Sequence, residues 1–244
     1  MNTLPSAAPA AACICWFALF RRHGSEGTTL DAAESRRLAG ALEGSVGMIL
    51  ALEHCAQVPE EFPGEETPLW LVLQCYFATL PALEQSLASG GALASLSDPA
   101  AFPSLAQAEA SEQAMEVLPF PIPEAPPGPK SACCTYLVGF EGPAQDSDTW
   151  LSYYLSTQAT QLTQLPRVRE VEVYTPLQWR SALPWKRASH LQRNKAVFDD
   201  PKSLVGALHS PVRHRMRHDL SRFPPFSGRV THHPMHTREL YRAS

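Results

Sequence analysis

Five residues at alternate positions, His190, Gln192, Asn194, Ala196 and Phe198, would share one face of an extended strand, because side chains alternate across a pleated sheet. His190 on that wall offers a general acid–base, and Asn194, two pleats away, an amide that can hold an enolate or carbonyl oxygen. The same alternation fits a half-exposed strand that presents polar side chains to water. In an earlier run Tyr136, Val138 and Phe140 share a face. Tyr136 could orient a substrate through its hydroxyl, or serve as a core aromatic with that hydroxyl satisfied.

Histidines also raise the question of metal. In the cluster His232-His233-Pro234-Met235-His236, extended backbone would put His232 and His236 roughly 13 Å apart, too far to share one ion. His214 and His218 have the i,i+4 spacing that permits a shared ion on a helix. They stand among Arg213, Arg215, Arg217 and Arg222, whose charge opposes a cation. No metal and no cofactor is expected. The basic helix is better suited to a solvated face, or to phosphate and carboxylate groups gripped by arginine forks. There is no P-loop, no Gly-x-Gly-x-x-Gly after a strand and no Gly-x-Ser-x-Gly, so nucleotide cofactors and serine-hydrolase chemistry lack support.

The elements that must position these residues come in two sets. The chain has 244 residues, 44% hydrophobic and 18% charged, enough for two domains of ordinary size. No apolar run reaches the roughly 18 residues that would span a bilayer. The stretch from Ala7 to Phe20 faintly resembles a signal peptide, but its basic pair Arg21-Arg22 follows the apolar run, and it reads as a buried first strand. The six cysteines lie mostly in apolar stretches without Cys-x-x-Cys spacing, as expected of buried thiols in a reducing compartment.

A net charge of −4 conceals an asymmetry. Residues 1–129 hold four arginines against 15 acids, whereas residues 130–244 hold 16 bases against 9 acids and seven of the nine histidines. Opposite charge on two halves of one chain suits a complementary internal interface and argues against nucleic acid as partner.

Internal similarity recurs at a spacing near half the chain. Ala12-Cys-Ile-Cys-Trp-Phe-Ala-Leu-Phe20 aligns with Ala132-Cys-Cys-Thr-Tyr-Leu-Val-Gly-Phe140, and Phe77 to Ser89 aligns with Phe198 to Ser210. Between the copies, residues 119–130 contain six prolines, an extended linker. The expected domains are therefore residues 1–118, the linker 119–130 and residues 131–244.

In the second half the patterns predict a strand over Thr135 to Phe140, then a helix from Trp150 to about Leu165 capped by Asp148. Strands follow over Val168–Tyr174 and His190–Phe198, separated by a connection, Thr175 to Ala188, that holds Trp179 and Trp185. A helix opens at Pro201, Pro211 ends or interrupts it, a basic helical piece continues to about Arg222, and Phe226–His233 is the last strand. In the first half the same order reads as strand Cys13–Phe20, helix Thr29–Leu42 capped by Thr29 or Asp31, strands Met48–His54 and Pro68–Tyr76, helix Leu80–Ser89, short helical pieces and a strand Ala114–Leu118. This β-α-β-β-α-β order is the ferredoxin-like plan. The open sheet face of such a unit needs cover, and two tandem units packed sheet to sheet supply it. The expected fold class is α+β, a fused α+β barrel.

Residues 132–240 resemble the EthD-like branch of the dimeric α+β barrel superfamily. The resemblance rests on Trp150-Leu-Ser-Tyr-Tyr154, on Ala159 to Val168 with its Leu-Pro-x-Val, on Ala196-Val-Phe-Asp199, and on Ser203-Leu and Ala207-Leu-x-Ser210; Leu19-Phe-Arg-Arg22 is similar in the first half. Where that family often carries a histidine near the end of the first helix, this chain has Gln158, which cannot transfer a proton near neutral pH. The resemblance implies a hydrophobic pocket for a small aromatic molecule. It leads to a bacterial cytoplasmic protein that binds and transforms, without cofactor, a small aromatic or polyketide-like molecule by isomerisation, cyclisation or oxygenation. In that reading His190, Asn194 and Tyr136 are catalytic, Trp179, Trp185, Gln158 and His232 bind substrate, and the first half completes a pseudo-dimer that leaves further self-association open. A non-catalytic accessory protein and a haem-binding protein are the alternatives.

Overall fold

Aromatic and branched apolar runs form the strands, and a capping Thr, Asp or Ser followed by proline at once or one residue later opens three of the helices. The computed structural model describes residues 13–22, 29–56, 69–122 and 132–243. The chain runs β1 (Ile14–Arg21), α1 (Ala32–Glu43), β2 (Met48–Ala56), β3 (Leu69–Phe77), α2 (Leu80–Leu87), α3 (Pro103–Ala106) and β4 (Glu109–Phe120). It continues through β5 (Ala132–Glu141), α4 (Ser147–Ser156), α5 (Gln158–Leu162), β6 (Glu170–Pro176), β7 (Lys186–Arg187), β8 (His190–Phe198), α6 (Pro201–Leu208), α7 (Pro211–Asp219) and β9 (Arg229–Arg242).

Helix starts follow from capping chemistry. Asp31 accepts from the backbone N–H of Ala33 and Glu34 while Glu34 reaches back to the Asp31 N–H, a reciprocal capping box. The second-half helix is capped by Asp146, not by Asp148, because Asp146 lies outside the helix in extended backbone and accepts from Thr149 N–H at 3.0 Å. Asp148 falls inside the first turn. The expected single helix to Leu165 breaks at Thr157, whose hydroxyl donates back to the Tyr153 carbonyl at 2.7 Å and competes with the helical ladder. Pro211 starts α7 under a Ser210 cap, since proline lacks only an N–H that the first turn leaves unused.

Two compact units emerge, and they are not the sequential halves. One comprises Cys13–Glu116, Pro176–Ala188 and Met235–Ser244. Its strand order is β7-β4-β1-β3-β2-β9, with all pairs antiparallel except β4–β7. Its helix-side core gathers Trp16, Phe20, Leu38, Leu42, Leu83 and Leu87, all at most 1% exposed; each such side chain contributes roughly 1.5–3 kcal/mol by leaving water.

The other unit includes Val117–Thr175 and Ser189–Pro234, with strand order β9-β5-β8-β6-β4. Strand β4 starts five residues before the expected Ala114 and ends at Phe120, taking the first two residues of the expected linker; residues 123–130 of that linker lie outside the described residues. Strand β9 does not stop at His233 but continues through Pro234 to Arg242, because Thr231, His233, Met235 and Thr237 keep alternating as buried positions. Among the described residues no helix is long and apolar enough to cross a membrane.

Candidate functional site

The second-half sheet carries two polar clusters, one on each face. The register decides which residue belongs to which. Tyr136 lies opposite Ala196, Val138 opposite Asn194 and Phe140 opposite Gln192, but the next pair is Glu141 with His190. Leu191 is therefore an extra residue, a β-bulge, and it breaks the period-two rule. His190 does not share the face of Gln192 and Asn194, as strict alternation requires. The expectation of one wall running from His190 to Phe198 is corrected accordingly.

On the helix-facing side, aromatics from β5 and α4 meet. Phe140 packs on Trp150 and Tyr154 at ring-centroid distances of 5.0 and 5.3 Å, and Phe226 closes on Trp150 at 5.5 Å. Asn194 donates its amide N–H to the Tyr154 hydroxyl at 2.5 Å. Gln192 donates to the Arg193 carbonyl at 2.5 Å. The carbonyl oxygens of both amides, Asn194 Oδ1 and Gln192 Oε1, are buried without a hydrogen-bond partner among the described residues. A buried acceptor left unpaired costs about 1–3 kcal/mol.

Tyr136 lies on the same face and stacks with His232, with centroids 5.8 Å apart and planes 24° from parallel. Burial pushes the Tyr136 phenol up to about 12, against the pull of Arg213 and Arg217, so it stays protonated. His232 keeps part of its surface in solvent. Loss of water on its packed side, and then the charge of Arg213, pull it down to about 4. It is a neutral imidazole at neutral pH. Tyr136 and Asn194, two of the expected site residues, thus share this face, and His232, a third, stacks on Tyr136.

The opposite face holds His190. Its Nε2 lies 3.2 Å from Glu141 Oε1, and one guanidinium nitrogen of Arg193 lies 2.9 and 3.1 Å from the two ring nitrogens. Because the two in-plane lone-pair directions diverge, that nitrogen sits over the ring rather than in line with either. Gly139 makes room: a Cβ there would come within 2.6 Å of His190 Cδ2 and 3.0 Å of Thr231 Oγ1. The hydrogen bond from His190, followed by the contact with Arg229, draws the Glu141 carboxyl down to about 2 despite partial burial. Farther along the same face, opposite Leu137, Lys195 is 1% exposed, with its ammonium 2.6 Å from Glu170 and 2.7 Å from Glu172. Burial alone would favour the neutral amine, but the two carboxylates outweigh it and raise the Lys195 pKa.

The remaining expected residues have other duties. Gln158 is 3% exposed and ties α5 to α7 by donating to the Met216 carbonyl and to Asp219, each at 3.1 Å. Trp179 and Trp185 belong to the first unit. Trp185 stacks with Trp16 at 6.2 Å and meets Phe20 edge-on at 5.3 Å, while the Arg187 guanidinium lies 4.3 Å over Trp179 and pairs with the fully buried Glu112 at 2.8 Å.

Sequence reasoning also missed a polar chain in the first unit. The fully buried His54 ring meets Thr237 Oγ1 at 2.7 Å and Gln74 Oε1 at 2.9 Å, and Gln74 donates onward to the Tyr76 hydroxyl at 2.7 Å. The available signal was a polar residue interrupting an apolar strand, His54 in Leu-Glu-His-Cys and Gln74 in Leu-Val-Leu-Gln-Cys-Tyr. No group of three or more His, Cys, Asp or Glu residues is placed to hold a metal ion among the described residues.

No family model and no curated protein sequence matches this chain. Solved structures do. An anthrone oxidase-like protein superposes with a TM-score of 0.59 at 13% identity, over 96% of this chain and 98% of the other. A candidate monooxygenase from Lactobacillus acidophilus NCFM gives 0.52 at 10%, covering 96% and 97%. A second, from Fusobacterium nucleatum subsp. nucleatum ATCC 25586, gives 0.52 at 8%, covering 95% and 94%. The chain shares their fold. At these identities the likeness extends to the mixed α+β architecture and no further.

Proposed function

We propose that the protein binds and transforms a small aromatic or polyketide-like molecule without a cofactor, on the helix-facing side of the second-half sheet. The observation that supports this best is the pairing of the Tyr136–His232 stack with Asn194 on one face, the Asn194 carbonyl oxygen being buried and without a partner. An aromatic ring extends the stack, and a ligand hydroxyl satisfies Asn194 Oδ1. Neutral His232 takes a proton from the activated C–H or phenolic O–H, and the protonated Tyr136 donates a hydrogen bond to the oxygen on which negative charge develops. Isomerisation, cyclisation and reaction with dioxygen can each start from the resulting anion. His190 lies across the sheet from Asn194, so the proton-transfer role passes to His232 in this reading.

The β-α-β-β-α-β order and the matching strand orders of the two units support a tandem ferredoxin-like architecture of the EthD-like kind. The name of the anthrone oxidase-like neighbour recommends anthrones as first probes.

The test is a thermal-shift panel of anthrones, aromatic lactones and polyphenols, followed by oxygen uptake and product analysis on any hit. A ligand at about 100 times its Kd stabilises by about 2.7 kcal/mol, a readable shift. His232→Ala is expected to abolish turnover with the melting temperature unchanged. No shift across the panel rejects the aromatic site, and normal turnover by His232→Ala rejects the role given to that residue.

A further inference from the structure

Strands β1 and β5 pair with their neighbours in the same register. Counted from the pairs Ile14–Phe77 and Cys134–Phe198, Trp16 holds in the first unit the position that Tyr136 holds in the other, and Leu73 the position of Asn194. Both rings carry a stacked partner. On Tyr136 it is His232 of strand β9. On Trp16 it is Trp185, with planes 12° from parallel and centroids 6.2 Å apart, which also meets Phe20 edge-on at 5.3 Å. Trp185 belongs to residues 177–185, which are neither helix nor strand. It is half-buried while Trp16 beneath it is fully buried, so the place it fills reaches the surface. This strap is pinned to the unit along its length. Leu177 donates its N–H to the Ala114 carbonyl at 3.1 Å, Ala182 to Leu87 at 2.9 Å and Ala188 to Glu112 at 2.9 Å. The Glu112 carboxylate pairs with Arg187 at 2.8 Å through one oxygen and accepts from Trp16 Nε1 at 2.9 Å through the other. A flat ring on an irregular tether, laid over the counterpart of Tyr136, has the geometry of a bound ligand.

We propose that the first unit holds a second aromatic-binding site, on Trp16 and Phe20, which Trp185 fills as a tethered ligand and which accepts a free bicyclic arene of indole size once that side chain is removed. With Leu73 where the other unit has Asn194, a ring hydroxyl buried here would lose its water without gaining an amide partner, so the site selects rings without hydroxyl groups. The inference goes beyond the reaction proposed above and is independent of it: loss of the role given to His232 leaves it standing.

Amide hydrogen exchange of the full chain, with and without indole, tests this. In Trp185→Ala the amides of Leu177, Ala182 and Ala188 should exchange about tenfold or more faster, while those of β1 and β3 keep their wild-type rates. Indole should bind this variant with a Kd of about 1 mM or below and return the three amides to wild-type protection. Trp185→Phe, which keeps a ring on the tether, should hold the strap without indole, and indole should leave the strap of the wild-type chain unchanged. Faster exchange in β1 and β3 together with the strap would make Trp185 an ordinary core residue and overturn the inference. Strap amides unchanged in Trp185→Ala, or loosened and not restored by indole, would overturn it as well. If Trp185→Ala does not fold alone, folded protein recovered only in the presence of indole supports the site, and no recovery overturns it.

Discussion

Replacing Glu141 by Gln should remove a specific, acid-sensitive share of stability. The Glu141 carboxyl is held at about 2 by His190 and Arg229, against an ordinary value of 4.5. A carboxyl whose pKa is lowered on folding stabilises the folded state above its unfolded pKa, and that contribution fades as pH falls toward the folded value. The shift corresponds to about 3 kcal/mol at neutral pH. The Glu141 side chain is 27% exposed and its partner Arg229 61% exposed, so solvent screening lowers the expected figure to about 2 kcal/mol. Most of it should be gone by about pH 3. The assay is urea denaturation of wild type and Glu141→Gln at several pH values from 7 down to 3. The stability gap between the two proteins should narrow steadily below about pH 4.5. A gap that stays constant across that range would refute the reasoning, since it would show that the glutamate contributes by shape rather than by charge.

Lys195→Met leaves the buried Glu172 without its ammonium and should cost about 3–5 kcal/mol in the same denaturation assay, as removal of one partner of a buried pair does. Adding Glu170→Gln and Glu172→Gln should recover much of that loss. Gly139→Ala places a methyl group 2.6 Å from the His190 ring and should destabilise by about 1–3 kcal/mol, with the His190 ring resonances displaced in NMR spectra. Asp146→Ala removes the cap of α4 and should cost about 1 kcal/mol, whereas Asp148→Ala should change stability far less.

What could be read from the sequence follows from how local each signal is. Strand β8 coincides with the expected His190–Phe198 because its alternation is regular over almost its full length and proline marks the helix beyond it. Tyr136 was placed on the correct face of β5 for the same reason. His190 was not, because a bulge at Leu191 is set by pairing with β5, and no property of residues 190–198 alone announces it. The capping of α4 shows a subtler case: Asp146 and Asp148 are chemically identical, and only the first turn's position separates a cap from an interior residue. The connection holding Trp179 and Trp185 shows the longest-range case. Proximity along the chain assigns its tryptophans to the second half, but Trp185 packs on Trp16 and Phe20 and Trp179 on the Arg187 guanidinium, all in the first unit.

These corrections bear directly on which histidine can do chemistry. A catalytic base must reach a substrate atom that a second group also holds, so the relevant question is which polar side chains share a face. Strict alternation puts His190 with Asn194; the bulge puts it instead with Glu141 and Arg193, where the ring is enclosed between a carboxylate and a guanidinium. His232, two residues before a proline and part of a run that looked like a metal cluster, ends up stacked on Tyr136 and kept neutral. His232 is neutral at pH 7, but a conjugate acid drawn down to about 4 makes it a weak base, so proton transfer to it depends on a hydrogen bond from Tyr136 to the oxygen that gains charge. Replacing Tyr136 by Phe therefore separates the two roles. If Tyr136 stabilises the developing oxyanion, Tyr136→Phe should lower kcat by about 10²–10³-fold, the scale of one lost oxyanion donor, while the ring stack preserves ligand affinity. A loss of affinity with kcat unchanged would instead make Tyr136 a packing surface and leave His232 to act alone.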